Sequence, residues 1–445
     1  MYSVKRIWPW LLLWGVLDLL CALFCEIHAD EAYYRLYGQF LNWGYFDHPP
    51  MVGLMTAVSA ALIPATSLIL KNLSVRLVTV LLHVVTVWVL WRTILDFRFN
   101  ISDFKSQTDL LWRFLLVAAS IPMFCAYGFI TTPDAPLLFF AAVFYYAYRR
   151  YLRQESGDKR QEIGTILLLG ISMAGMLYSK YIAVLVIAFA LLGNLRLLRD
   201  GKAWAAVGIA VVLMIPHLYW QYANHFPSFT YHLVSRATSY EPLYSMEYLP
   251  NQWSVFNPLV WALMLWVGAR QIRHGDAFNR SMGMTVWGFQ VFFFIMTCRG
   301  HVEPHWTVVT AIPAVIMLTE DTAIWKRGVR IAMVCFVGLI LVSHVILMLN
   351  VLPVRTGLAG KQAQMEAIHA EANDLPVVFD GSFQTPSLYR FFYNDKAVLV
   401  RNAGDRYTQF DLWHLEREFM GQPACVRRHG TVYITECLSE EDLRE

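Results

Sequence analysis

Polar residues in this chain come in short islands between long apolar runs. Runs of about 18 residues or more recur from Ile7 onward, the length an α-helix needs to cross roughly 30 Å of hydrocarbon. A soluble amphipathic helix would instead bring a charged residue to one face at every turn. The runs at 7–25, 74–95, 111–129, 134–152, 163–178, 181–198, 203–221, 252–269, 282–298, 305–320 and 331–350 predict eleven membrane-crossing helices. The first has Lys5 and Arg6 before it and no small-residue cleavage pattern after it, so it reads as an uncleaved helix. Residues 51–70 are also apolar, but Pro49 and Pro50 precede them and Pro64 interrupts them. That stretch is expected to lie along the membrane surface, where broken helical backbone can find water.

After Leu352 the hydropathy falls and strand-like and helix-like periods alternate. Val377–Phe379 and Ala397–Val400 read as strands, Thr385–Tyr393 as a helix, and 423–437 as a hairpin turning at His429-Gly430. The expected organisation is a polytopic α-helical membrane domain over 1–350, with a long first external loop at 26–73, and a small α/β domain over 351–445.

Composition agrees: 57% of residues are hydrophobic and 16% charged, against about 25% charged in an ordinary soluble domain. The net charge of +3 says little until it is sorted by side. With the N-terminus cytoplasmic, the inner loops hold twenty Lys and Arg, and the outer loops before residue 351 hold five. This bias predicts a cytoplasmic N-terminus and an external C-terminal segment. It also leaves no exposed basic stripe for a nucleic acid. Of the seven cysteines, Cys21, Cys25, Cys125 and Cys335 fall in spans and Cys298 at an outer mouth. Cys425 and Cys437 share the external segment, where a disulfide is an open alternative.

Sorting by side also gathers the chemistry. The outer mouths carry Asp30, Glu31, Asp47 and His48, then Asp134 between two prolines, then Tyr178 and Lys180, and then Arg236, Arg299, His301, Glu303 and His305. Ionisable residues at the membrane boundary are costly and face a polar cavity or one another. Asp134 is also a natural helix cap, and Lys180 has the length to snorkel. His301, Glu303 and His305 are spaced like ligands, so a divalent metal stands as an alternative to a site that needs no cofactor. Asp18, His83, His217 and His344 lie inside spans and are expected to join helices by hydrogen bonds.

His28-Ala29-Asp30-Glu31-Ala32-Tyr33-Tyr34 followed by Trp43-Gly44-Tyr45-Phe46-Asp47-His48-Pro49-Pro50 resembles the first external loop of GT-C glycosyltransferases. The likeness is to the bacterial relatives of protein O-mannosyltransferases and of the lipid A aminoarabinose transferase. It continues at Thr132–Pro136, Tyr178–Tyr181, Asn224–Phe229 and Pro304–Trp306, and more faintly at Arg406–Trp413. The resemblance implies an inverting transferase of a bacterial inner membrane. Such an enzyme takes a sugar from polyprenyl (undecaprenyl) phosphate and gives it to a lipid, glycan or protein on the periplasmic side. It further implies that Asp30 is the general base, with Glu31 supporting it or orienting the acceptor, and Asp134 as a second carboxylate at the same cavity. Lys180 would contact the lipid phosphate, and Arg236 and Arg299 are further phosphate candidates by position. Asp47, His48, Tyr45 and Tyr178 complete the expected substrate-binding set. The competing reading is a transporter or flippase of lipid-linked saccharides, which predicts polar residues through the membrane midplane and openings on both faces.

Overall fold

The computed structural model describes residues 6–95, 104–153, 158–232, 240–352, 359–393, 396–400, 406–428 and 431–443. It is a helical membrane protein. Among the described residues, five helices are long and apolar enough to cross a bilayer: Leu68–Leu95, Lys159–Ser179, Gly201–Ala223, Ala277–Arg299 and Arg327–Leu349. A sixth candidate is Trp8–Phe24, which turns by 91° into Ala29–Gln39.

The remaining expected spans contain helix, but several are broken where the sequence reading drew one rod. The run 111–129 divides into Phe104–Ala119 and Pro122–Ala126. Pro122 has no N–H to donate, and it pushes Ile121 to an extended φ/ψ of −93°/107°. The run 252–269 straddles a second break between Pro242–Phe256 and Pro258–His274. There Asn257, placed before a proline, takes φ 61°. Its Nδ2 donates to the Ser120 carbonyl at 2.6 Å, so the two breaks are tied together. The run 181–198 becomes the helix Ala183–Gly193 and a 3₁₀ turn at Leu195–Arg199, and 305–320 opens with a 3₁₀ turn at Pro304–Thr310. Conversely, the second helix begins at Leu68, six residues before the expected 74. Lys71 therefore sits on a helix and not in a loop.

Polar residues inside the bundle pair with one another, because hydrocarbon offers no alternative partner. Asp18 meets His83 Nδ1 at 2.8 Å. Arg149 bridges the Thr93 carbonyl and Glu320 at 2.9 and 2.7 Å. His344 instead bonds the Ile340 carbonyl within its own helix, at 2.7 Å.

The first external loop is a packed structure. Helix Ala29–Gln39 lies against Met51–Leu62, and Thr56 Oγ1 donates to the Tyr34 carbonyl at 3.0 Å. The approach is so close that a Cβ on Gly38 would stand 2.4 Å from Thr56 Oγ1 and 2.7 Å from the Ala57 nitrogen. Only glycine fits there.

Above the loop sits a four-stranded sheet in the order β2-β1-β3-β4. Its strands are β1 (Val377–Phe379), β2 (Ala397–Leu399), β3 (Ala424–Arg428) and β4 (Thr431–Thr435). β1 runs parallel to β2 and β3, and β4 is antiparallel to β3. The parallel crossover from β1 to β2 is helix Gln384–Phe392. The proposed turn at His429-Gly430 lies outside the described residues. One hydrophobic core joins Ile27, Tyr33, Tyr37 and Tyr45 of the loop to Val377, Tyr389 and Cys425 of the sheet. The expected division at residue 350 follows the chain, whereas the packing merges the first loop with the C-terminal segment. Cys425 and Cys437 are both free. Cys425 points into this core, while Cys437 lies exposed beyond the end of β4, so the disulfide left open by the sequence does not form.

Candidate active site

The site is built on the first turn of helix Ala29–Gln39. His28 is its N-cap: the imidazole Nδ1 accepts from the Asp30 N–H at 3.3 Å, and Glu31 Oε2 accepts from the His28 N–H at 2.9 Å. This is a reciprocal capping box with histidine in place of serine. It points two adjacent carboxylates in different directions.

Glu31 turns inward and is fully buried. Arg76, on the helix Leu68–Leu95, grips it through Nε at 2.8 Å and Nη2 at 2.6 Å. The Thr131 N–H adds a bond at 2.8 Å. The remaining guanidinium donors go to the carbonyls of Ala22, Cys25 and Glu26, at 3.2, 2.7 and 3.0 Å. Burial pushes the Glu31 carboxyl up, but the Arg76 charge and these hydrogen bonds outweigh it and hold it below its ordinary value. A carboxylate so saturated holds the turn of the loop to the end of the first helix. Of the two roles expected for Glu31, supporting Asp30 or orienting the acceptor, the committed oxygens favour support.

Asp30 turns outward. Its side chain is 34% exposed, Gln384 Nε2 donates to Oδ1 at 2.9 Å, and His28 Nδ1 stands 3.8 Å from Oδ2. Gln384 opens the crossover helix of the sheet, so the C-terminal segment reaches into the site. His305 Nε2 stands 3.8 Å from Asp134 Oδ2, and its ring meets that of Tyr127 edge-on at 6.5 Å. His305, Asp134 and Tyr127 therefore share one neighbourhood.

Asp134 and Lys180 form a buried pair, with Nζ 2.8 Å from each carboxylate oxygen. Both residues are nearly inaccessible, at 1% and 6% exposure. Asp134 does not cap its helix; Pro133 occupies the N-cap position and no side chain bonds there. This corrects the expected division of labour, because the Lys180 charge is already neutralised by Asp134. His305 Nε2 approaches Asp134 Oδ2 at 3.8 Å from the far side. His301 faces Glu303 at 3.8 Å instead. The three residues spaced like ligands thus diverge, and among the described residues no three His, Cys, Asp or Glu side chains could hold a metal ion.

Asp47, expected to bind substrate, is a buried anchor. It accepts from the Tyr33 hydroxyl at 2.7 Å and the Tyr37 hydroxyl at 3.3 Å, and it forms an ion pair with Arg406 of the C-terminal segment. Gln409 completes the clamp: its N–H donates to the Tyr33 oxygen at 2.8 Å, and its Oε1 accepts from the Phe46 N–H at 2.7 Å. Tyr45 is fully buried, stacks on Tyr37 at 3.8 Å and donates to the Tyr37 carbonyl at 2.7 Å. Burial raises the Tyr45 hydroxyl to about 12. Tyr178 donates to the Leu213 carbonyl at 2.6 Å. Both hydroxyl protons are thus given to backbone carbonyls of the fold. His48 packs its ring edge-on to Tyr34 at 5.6 Å. Arg299 is exposed and, among the described residues, has no partner. Arg236 lies outside the described residues.

Sequence reasoning missed three contributors: Arg76, Tyr127 and Gln384. Arg76 could have been flagged as an uncompensated arginine within an apolar span. Tyr127 and Gln384 carry no such signal, whereas Gln409 lies in the Arg406–Trp413 stretch of the motif.

The arrangement is a membrane helix bundle whose first loop is clamped beneath a small sheet. Known proteins share it. The family model for dolichyl-phosphate-mannose-protein mannosyltransferase matches residues 47–220. The lipid A galacturonosyltransferase RgtD of Rhizobium johnstonii is 24% identical over 321 residues, covering 69% of this chain and 63% of that protein. This match therefore spans less than two thirds of the relative's length. The crystal structure of ArnT from Cupriavidus metallidurans in the apo state superposes with a TM-score of 0.64 at 14% identity, covering 95% of this chain and 93% of that one. The same protein bound to undecaprenyl phosphate gives 0.63 at 15% identity, covering 94% and 92%. The ArnT likeness speaks for the fold. The family model and the sequence relative are both glycosyltransferases, and this chain is similar to them over the residues they cover.

Proposed function

We propose that this chain moves a sugar, with inversion, from a polyprenyl-phosphate donor to a lipid, glycan or protein acceptor at the periplasmic face of a bacterial inner membrane. In this reading the chain crosses the membrane about eleven times, with the N-terminus cytoplasmic and the sheet periplasmic. The lysine and arginine bias supports that orientation. The relative named for lipid A transfer and the neighbour crystallised with undecaprenyl phosphate support the donor and acceptor classes.

The observation that carries the reading is the singularity of Asp30. Of the four carboxylates in the loop motif and at Asp134, three are buried against a cation: Glu31 on Arg76, Asp47 on Arg406 and Asp134 on Lys180. Asp30 alone is half-open, oriented by neutral or weakly basic partners, and able to accept a proton. In the proposed step an acceptor hydroxyl gives its proton to Asp30 as its oxygen attacks the anomeric carbon. The bond from that carbon to the phosphate oxygen breaks on the opposite face, and the electron pair leaves with polyprenyl phosphate. A general base of this kind is worth about 10²–10⁴-fold in rate. Arg299 is the available cation at this mouth for the developing phosphate charge. The buried Asp134–Lys180 pair would serve as a unit, shaping the floor of the site. The reaction is proposed to need no metal.

The test uses the purified full chain, with polyprenyl-phosphate sugars offered singly and polyprenyl phosphate release scored. Wild type should release the lipid phosphate in chelator, and Asp30→Asn should lose at least ~100-fold with unchanged folding. No release from any donor, with flipping of the same lipids in vesicles, would replace the transferase by the transporter. Equal release by both proteins would remove Asp30 as the base.

A further inference from the structure

The 3₁₀ turn Leu195–Arg199 joins the helix Ala183–Gly193 to the helix Gly201–Ala223 and buries none of its side chains. It lies at the membrane face opposite Asp30. The helix Gly201–Ala223 has 23 residues and is about 35 Å long, and its far end reaches the first loop. There Gln221 Nε2 donates to Ser228 Oγ at 2.7 Å, and Ser228 Oγ donates to the Tyr45 carbonyl at 2.9 Å.

The turn is pinned along its length. At its start, Asn194 Nδ2 donates to the Tyr148 hydroxyl at 3.1 Å. At its end, Asp200 accepts from the Tyr151 hydroxyl and caps the next helix through the Lys202 N–H at 3.0 Å. In the middle, the Trp204 indole N–H donates to the Leu198 carbonyl at 3.0 Å. Side chains three residues apart eclipse in a 3₁₀ helix. Leu195 and Leu198 therefore make one stripe, and Arg196 and Arg199 make another beside it.

Both stripes are open to an occupant. Leu195, Leu198 and Trp204 are 56%, 47% and 55% exposed. Arg196 and Arg199 are exposed too, and among the described residues neither has a hydrogen-bond or ion-pair partner. The neighbouring acids are committed elsewhere: Asp200 to Tyr151 and the helix cap, and Glu162 to Lys202 Nζ at 2.6 Å. Apolar side chains held outward in a group mark a contact with lipid or a partner. The helix that follows continues the apolar surface with exposed Val211, Val212 and Ile215. An indole beside arginines, at the end of such a helix, is the composition of a membrane–water boundary. Two guanidiniums without a counter-charge attract an anion, and their fork fits the paired oxygens of a phosphate. An anion continuous with hydrocarbon is a lipid.

We propose that the turn Leu195–Arg199 binds an anionic phospholipid, with the phosphate on Arg196 and Arg199 and an acyl chain along Leu195, Leu198 and Trp204. The occupant carries net negative charge, because the ammonium of a zwitterionic headgroup offsets what the two arginines gain. The site anchors the bundle at this face and is separate from the transfer chemistry.

The experiment is native mass spectrometry of the delipidated full chain in micelles, with phosphatidylglycerol and phosphatidylcholine of identical acyl chains in competition. The first lipid retained should be the anionic one, by about tenfold. Arg196→Gln/Arg199→Gln should bring the two lipids to parity. Lys326→Gln/Arg327→Gln removes the same charge from another exposed turn and should keep the wild-type preference. Leu195→Ser/Leu198→Ser leaves both arginines and should weaken retention of the anionic lipid several-fold, which decides the outcome if the arginine variant folds poorly. Equal retention of the two lipids by wild type would overturn the proposal. So would a preference that survives the arginine variant, or one that falls equally in the Lys326 and Arg327 control. Undiminished retention in the leucine variant, or displacement of the lipid by soluble glycerol phosphate, would also overturn it, by assigning the turn to a free anion.

Discussion

Asp30 and Glu31 are neighbours in sequence with the same chemistry, and the protein gives them opposite surroundings. Behind the loop helix, Glu31 is wrapped by Arg76, two backbone N–H groups and full burial. In front of it, Asp30 meets one amide donor, has His28 Nδ1 at 3.8 Å and is 34% exposed. The difference teaches what distinguishes a supporting carboxylate from a reactive one. The first has both oxygens committed to hydrogen bonds and a permanent counter-charge; the second is held by a neutral amide and left open on its outer side.

The sharpest way to break this contrast is Glu31→Ala. It strands Arg76 in a buried site with no countercharge, and losing one member of a buried pair costs about 3–5 kcal/mol. The expected outcome is loss of folded protein in size-exclusion and thermal assays, including in the absence of any donor. Asp30→Asn should leave those assays unchanged. If Glu31→Ala folds normally and loses only transfer, the assignment of roles is reversed.

Much of this contrast was legible in the residues, and the illegible part has a physical reason. The loop motif located both carboxylates on one helix turn. What it could not divide was their labour, because that depends on a partner 45 residues away on another helix. Lys180 shows the same limit: its position at a helix end near the boundary was read correctly, but its charge is spent on Asp134, 46 residues earlier. The helix breaks at Ile121 and Asn257 were signalled by Pro122 and Pro258, yet hydropathy runs straight through a proline. The core shared by Tyr33, Tyr37 and Tyr389 was invisible, since an aromatic-rich loop reads equally as sugar-stacking surface or as interior.

A middle-sized effect sharpens the front of the comparison. Gln384 is the donor that holds Asp30 Oδ1, and it belongs to the C-terminal segment. Gln384→Ala should leave folding intact and lower kcat by a few fold, with KM for the donor nearly unchanged, because the bond orients the base and grips no substrate. This rests on Asp30 being the base, so the substitution is also made on the Asp30→Asn background. There it should have no further effect on rate. A full additional loss on that background would mean that Gln384 acts on the substrate directly.

The smallest effect concerns pH and separates the two faces by titration. Burial holds the His28 imidazole below its ordinary 6.5, partly offset by the Asp30 charge, and Arg76 holds Glu31 below 4.5 despite burial. Both groups bind protons more readily when the loop unfolds, so stability rises with pH through their windows. The His28 contribution is fully present above 6.5 and fades as pH falls below it; the Glu31 contribution survives until pH falls below 4.5. Hydrogen exchange of the Ala29–Gln39 amides, corrected for intrinsic rate, should therefore show protection that is flat above neutrality and declines modestly in the first window. A steeper decline should follow in the second, as Glu31 releases Arg76. His28→Asn keeps a capping acceptor without the titration, and it should erase the first step while leaving the second. Persistence of both steps in that variant would place the first titration elsewhere in the loop.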